Sequence, residues 1–259
     1  MMVPLRHGLP AVYRPLTLDV TMMAMKRKHT AGLFVTGTDT GVGKTYVGAM
    51  IARELRRAGR RVGVYKPAAS GCRRQRGKRI SDDAVALWEA AGRPGSLERV
   101  CPQRFLAPLA PHLAAREEGK RLDPKLLRDG LEYWRRRADV IVVEGAGGLM
   151  SPLGDDEYVA DLAYDFGFPL IVVAPNTLGA INQTLQTLIA AATFRDGLEV
   201  AGIVLNHPTP PGDDPSVATN RRELIARCVP PVLAEVAFNA ASFDAEVDWE
   251  GLADAGLGR

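Results

Sequence analysis

The sequence predicts an α/β protein, a doubly wound and mostly parallel sheet with helices on both faces. Three observations predict it. Short, nearly continuous apolar runs recur along the chain, as at residues 139–143 and 170–174. Such runs suit strands covered on both faces of a parallel sheet. Helical patterns stand between them, and that alternation implies right-handed βαβ crossovers. A glycine-rich stretch, Gly37-Thr38-Asp39-Thr40-Gly41-Val42-Gly43-Lys44-Thr45, joins the first apolar run to the first helical pattern.

Taken in order, Leu33-Phe34-Val35 marks the first strand, and a helix over residues 47–58 follows, stopped by Gly59. Residues 61–65 read as the second strand, 82–91 and 124–137 as helices, and 139–143 as the third strand. The fourth strand covers 170–174, a helix 181–194, the fifth strand 201–205, a helix 217–227, and a weaker sixth strand 232–236. No repeat or linker divides this series, so residues 29–259 read as one domain with a sizeable core. Residues 1–28 have no sustained period and read as a disordered extension or a misassigned start, with a second start available at Met25. The weakly apolar residues 16–25 lack the cleavage site and strong apolar centre of a signal peptide.

Composition sets limits. Apolar residues make up 46% of the chain and charged ones 24%, the balance of an ordinary globule. A net charge of +3 and a pI near 8.8 tolerate anionic ligands without establishing nucleic-acid binding. Cys72, Cys101 and Cys228 are odd in number, scattered and without metal-ligand spacing, which argues for free thiols in a reducing, cytoplasmic setting. No run reaches the length of a membrane span.

The chemistry gathers where strands end, which is where ligands sit in such sheets. In the stretch from Gly37 to Thr45, glycines let backbone N–H groups approach phosphate oxygens, and the following helix aims its positive end at the same anion. Lys44 would meet the β- and γ-phosphates and the Thr45 hydroxyl would ligate Mg²⁺. Thr38 stands where the first glycine of a P-loop usually falls, and Gly37 comes one residue early. Lys66 leaves the second strand in Lys66-Pro67-Ala68-Ala69-Ser70-Gly71. It reads either as a solvated lysine or as a charge that stabilises a transferring phosphoryl group. Ser81-Asp82-Asp83 opens the next helix; one acid is a cap or first-turn residue, and the other is free for Mg²⁺. Glu144, at the tip of the third strand before Gly145-Ala146-Gly147-Gly148, stands where a metal-holding carboxylate belongs. Asn206 suits the edge of adenine or a turn cap. His112 and His207 suggest no partner, and Arg73, Arg74, Arg76, Lys78 and Arg79 read as a solvated basic loop.

The ordered motifs Gly-Thr-Asp-Thr-Gly-Val-Gly-Lys-Thr, Tyr-Lys-Pro-Ala-Ala-Ser-Gly, Ser-Asp-Asp-Ala-Val-Ala-Leu, Val-Glu-Gly-Ala-Gly-Gly and Asn-His-Pro-Thr-Pro-Pro resemble those of dethiobiotin synthetases, across residues 33–238. The resemblance implies a P-loop fold, usually homodimeric with a substrate site that borrows from the partner. It implies ATP- and Mg²⁺-dependent closure of a ureido ring on 7,8-diaminononanoate and CO₂, with no nucleic acid or membrane partner. It gives Lys66, Lys44 and Thr40 catalytic roles, and makes Thr45, Asp83 and Glu144 the metal set. It places ATP on Gly41, Val42, Gly43, Lys44, Thr45, Tyr46, Asp83, Glu144, Gly145, Ala146, Gly147, Asn206, His207, Val236, Ala237 and Phe238. Substrate falls to Ser70, Lys66, Gly147 and Gly148.

Two departures stand out. Gly41 replaces an acid found in some members, and Ala234-Glu235-Val236-Ala237 replaces a Gly-x-Ile/Leu-Pro end to the last strand. Two rivals share the loop. An amide-forming synthetase of the cobyrinate diamide type usually carries a glutaminase domain, for which no room follows here. A partition or septum-positioning switch ATPase would carry a lysine near Gly37, where this chain has Thr36 and Thr38.

Overall fold

The computed structural model describes residues 30–210 and 212–258; the expected extension over 1–28 lies outside them. The strands are β1 (Ala31–Gly37), β2 (Val62–Tyr65), β3 (Ala68–Ala69), β4 (Arg73–Gln75), β5 (Lys78–Ile80), β6 (Gln103–Arg104), β7 (Val140–Glu144), β8 (Leu170–Pro175), β9 (Val200–Asn206) and β10 (Val232–Val236). Six of them form one sheet in the order β10-β9-β8-β1-β7-β2, with every neighbouring pair parallel. All six lie within two residues of the strands read from sequence. β1 is central, with its chain partners split to either side, so the loop after it opens at the topological switch point.

The helices are α1 (Lys44–Arg57), α2 (Asp82–Ala90), α3 (Leu97–Val100), α4 (Pro111–Glu117), α5 (Pro124–Arg135), α6 (Val159–Phe166), α7 (Ala180–Thr193), α8 (Val217–Arg227) and α9 (Trp249–Asp254). Gly59, at φ +85°, follows the end of α1 and accommodates the reversal there. The helix α6 was not legible in sequence. At eight residues it is shorter than the stretch over which a 3.6-residue period can be recognised, although Asp165 does mark a solvent face. The basic segment expected as a loop is instead the antiparallel hairpin β4–β5. Among the described residues no helix is long and apolar enough to cross a membrane. Cys72 and Cys101 are buried free thiols, and burial pushes Cys101 up to about 12.

One contact fixes the edge strand β2 against α5. Asp123 caps α5, accepting the N–H groups of Lys125 and Leu126, and Pro124 takes the first helical position. Leu127, Leu131 and Trp134 then face the sheet. The Tyr65 ring is fully buried below them and its hydroxyl donates to the Leu127 carbonyl at 2.8 Å. Gly130 leaves room for it: a Cβ there would stand 2.1 Å from the Tyr65 hydroxyl and 2.6 Å from Cζ. Gly130→Ala gains about 1 kcal/mol of helix propensity, yet displacing a buried ring costs about 1–3 kcal/mol. Net destabilisation is therefore expected in urea denaturation at neutral pH; an unchanged or raised midpoint would contradict this packing.

Candidate active site

The loop after β1 is shaped by its own close contacts. Gly43 adopts φ +96°, and a Cβ on it would lie 2.1 Å from Asn206 Nδ2. Only glycine fits there. Asn206, at the end of β9, donates its amide to the Val42 carbonyl at 2.9 Å and so braces the loop from across the sheet. Gly37 makes the close approach at the other end, where a Cβ would stand 2.7 Å from Val42 Cγ2. This explains how the loop tolerates Thr38 at the usual glycine position. Lys44 Nζ curls back to donate to the Asp39 carbonyl at 2.7 Å. Burial lowers the Lys44 pKa, with Glu144 opposing that shift.

Lys66 is not solvated. It is 3% exposed, and its Nζ lies 2.5 Å from Glu144 Oε1 and 3.1 Å from Asp83 Oδ2. Burial alone would pull its pKa down, but Glu144 and then Asp83 more than offset this and the net shift is upward. Burial would likewise raise Asp83, while the charge and hydrogen bond of Lys66 hold it below the ordinary carboxylate range. The start of α2 separates the two neighbouring acids. Ser81 is the cap, accepting the Ala84 N–H at 3.2 Å. Asp82 turns outward to Arg73 at 2.8 Å, whereas Asp83 turns inward to Lys66.

Glu144 ends β7 at 1% exposure. Its Oε1 also accepts the Thr45 hydroxyl at 2.9 Å. Its Oε2 is buried and has no hydrogen-bond partner among the described residues. Leaving such an oxygen unpaired is costly. With the Thr45 hydroxyl and Asp83 it makes an all-oxygen donor set, which fits Mg²⁺, an ion that takes few protein ligands. Thr38 Oγ1, in the loop after β1, is also buried and has no hydrogen-bond partner among the described residues.

The turn after Glu144 faces the same loop. Gly145 packs beneath Phe34 and Val159, and a Cβ on Gly147 (φ +77°) would lie 2.2 Å from Ser151 Oγ and 3.6 Å from Thr40 Oγ1. Gly148 donates its N–H to Ser151 Oγ at 2.8 Å. Gly147 therefore lies near Thr40, with Ala146 and Gly148 beside it half-buried on the rim. Gly41 is exposed on the phosphate loop, with open space where a Cβ would be. Ser70 follows β3 and is half-buried.

The far end is built by β9 and β10. Tyr46, on the first turn of α1, donates its hydroxyl to the Ala240 carbonyl at 2.6 Å and ties the segment after β10 to the phosphate loop's helix. Ala237 and Phe238 are exposed there. Val236 is fully buried, and its carbonyl accepts the His207 N–H at 2.9 Å. His207 does have a partner: its Nε2 lies 2.6 Å from Glu235 Oε1. The buried Asn176 donates to that same oxygen at 2.7 Å and accepts from Asn220 at 2.9 Å. Sequence reading missed Asn176 and Ser151. Asn176 could have been found, because a polar residue directly follows an apolar strand there, as Asn206 ends the next one. Nothing in the sequence singles out Ser151.

The Lys66 cluster sets a pH dependence. The Asp83 pKa is lowered, so its contribution is complete above its ordinary value of 3.8 and is lost as pH falls through the folded value below that. The Lys66 pKa is raised, so its contribution is complete below 10.5 and is lost only above it. Urea midpoints measured on the acid side should fall less steeply for Asp83→Asn than for the wild-type chain. Identical acid limbs would show that Asp83 is not held by Lys66.

A family model described as an AAA domain matches residues 31–244. The chain is 46% identical over 214 residues to the ATP-dependent dethiobiotin synthetase BioD of Rhodopirellula baltica, covering 78% of this chain and 82% of that one. It is 48% identical to the protein of the same name from Anaeromyxobacter dehalogenans, covering 74% and 83%. A third such protein, from Aromatoleum aromaticum, is 41% identical over 68% of this chain and 78% of its own length.

Proposed function

This chain belongs to the ATP-dependent dethiobiotin synthetase family, and from that premise we propose that it is the ligase that makes dethiobiotin in biotin biosynthesis, using ATP. Its substrates are 7,8-diaminononanoate, CO₂ and ATP. One amine of the diamine takes up CO₂ as an N-carbamate and loses a proton. A carbamate oxygen attacks the γ-phosphorus of ATP, giving a carbamoyl-phosphate mixed anhydride and ADP. The second amine then attacks the carbonyl carbon and gives up a proton to solvent, phosphate leaves with the electron pair of the C–O bond, and the ureido ring closes.

The observation that carries this reading is the convergence of Lys66, Glu144, Asp83 and Thr45 beside the phosphate loop. Phosphoryl transfer needs positioning and charge neutralisation more than a protein nucleophile. Residues 41–45 and Tyr46 would hold the triphosphate end, with Lys44 as the charge on it. Thr45, Asp83 and Glu144 would hold Mg²⁺, which when bound screens the phosphate oxygens. Lys66, already placed beside both carboxylates, would stabilise charge on the carbamate and on the moving phosphoryl group. Ser70, Thr40, Gly147 and Gly148 would line the diamine site. Asn206, His207, Val236, Ala237 and Phe238 would surround adenine, with Val236 acting through its backbone because its side chain is buried. Asn206 also braces Val42, so its loss would loosen the loop as well as the base site.

Residues 29–259 would act as one domain, as the span of the family model suggests. A homodimer is the expected assembly. The exposed Leu109, Leu113, Met150 and Tyr158 offer apolar surface for it beside the substrate turn. His112, paired with the Pro152 carbonyl, holds α4 against that turn.

The test is phosphate release from ATP and Mg²⁺, with and without 7,8-diaminononanoate and bicarbonate. Release should require both and match dethiobiotin mole for mole. Steady release indifferent to both would replace the synthetase with a switch-type ATPase.

A further inference from the structure

A second strongly basic cleft lies outside the site described above. It has a volume of about 610 Å³ and is lined by Arg74, Lys78, Arg79, Arg104, Lys120 and Arg121. The hairpin β4–β5 supplies one wall, β6 the floor, and the segment entering α5 the other wall. None of Lys44, Lys66, Asp83 or Glu144 lines it.

The charges in this cleft are poorly balanced from within. Among the described residues Glu98 is the single carboxylate on its lining, and it reaches Arg104 at only 3.9 Å. Glu118 lies behind the wall, where it takes Arg79 and, at 3.6 Å, Lys120, while its other oxygen accepts the Leu106 N–H. Among the described residues, Arg74, Lys78 and Arg121 have no side-chain hydrogen bond or ion pair. Arg104 is held in place with its side chain only 17% exposed. Cations crowded this way repel one another, and a bound anion removes that repulsion.

The chemistry narrows the anion. Four of the six cations are guanidinium groups, whose planar forks match phosphate oxygens in pairs. The volume is that of a small-ligand pocket. A nucleic acid strand would need aromatic faces to stack on, and among the described residues the one aromatic lining residue, Phe105, is buried at 4% exposure. We propose that this cleft is a second anion site that binds a small oligophosphate independently of the nucleotide loop. Its floor is one strand away from the proposed substrate segment: Arg104 pairs with Ala69, and the Phe105 N–H donates to the Ala69 carbonyl at 2.9 Å, between Lys66 and Ser70.

The experiment is calorimetric titration of the full chain with inorganic pyrophosphate in metal-free buffer. It compares wild type, Lys44→Ala, and the triple variant Arg74→Ala/Lys78→Ala/Arg121→Ala in the Lys44→Ala background. Because the three cleft residues are exposed and, among the described residues, make no side-chain hydrogen bond or ion pair, the fold should survive, which circular dichroism checks. Lys44→Ala should retain one equivalent of binding, and the added cleft substitutions should weaken that equivalent by about tenfold or more. Restoring charge with Arg74→Lys/Arg121→Lys in place of the alanines should recover part of the loss. The proposal is overturned if Lys44→Ala abolishes all pyrophosphate binding. It is equally overturned if the cleft alanines leave the remaining equivalent unchanged. Neither result depends on whether the nucleotide site makes dethiobiotin.

Discussion

A buried ammonium between two carboxylates is the constraint on which the arrangement of this protein rests. Withdrawing charges from water costs several kcal/mol per ion, and leaving one of a buried pair alone costs about 3–5 kcal/mol. Lys66 and Glu144 are almost wholly enclosed, so each requires the other, while Asp83 is half-exposed at the open side of the cluster. Three elements that are distant in sequence must therefore end at one point: β2 just before Lys66, β7 at Glu144, and the first turn of α2 at Asp83. Among the described residues the cluster also leaves one Glu144 oxygen without a hydrogen-bond partner, which is where the proposed Mg²⁺ would be accommodated.

The sheet order delivers this convergence. β7 lies between β1 and β2, so Glu144 is flanked by the phosphate loop on one side and Lys66 on the other. Thr45, at the start of α1, reaches Glu144 from the loop side. Beyond β8, Asn206 holds the loop through the Val42 carbonyl, and the Tyr46 hydroxyl secures the segment after β10. The loop is thus fixed from both halves of the sheet, which is the preorganisation that phosphoryl transfer depends on. The altered end of β10 is absorbed by local polar bonds. Glu235 takes both His207 and Asn176, and its N–H donates to Asp244 at 2.6 Å.

Much of this was legible because the controlling features are local. Continuous apolar runs mark strands buried on both faces, and the residues directly following them, Lys66, Glu144 and Asn206, fall at the carboxyl edge by construction. What could not be read depends on contacts across the chain. Lys66 looked equally like a solvated lysine, since its burial depends on carboxylates from β7 and α2. Asp82 and Asp83 are adjacent acids, and only the direction of the first turn of α2 separates them. The helix α6 hid because eight residues are too few to display a sustained period. The hairpin β4–β5 hid because its side chains are nearly all polar, a composition that favours solvent and carries no strand alternation.

The most direct test of the proposed role of Lys66 is to measure turnover and ATP affinity on the same Lys66→Gln protein, with urea denaturation to confirm folding. Neutralising a charge that acts on the moving phosphoryl group should lower kcat by about 100-fold or more. The calorimetric Kd for ATP should change by no more than about threefold. Equal losses in turnover and ATP affinity would make Lys66 a binding residue and contradict the account.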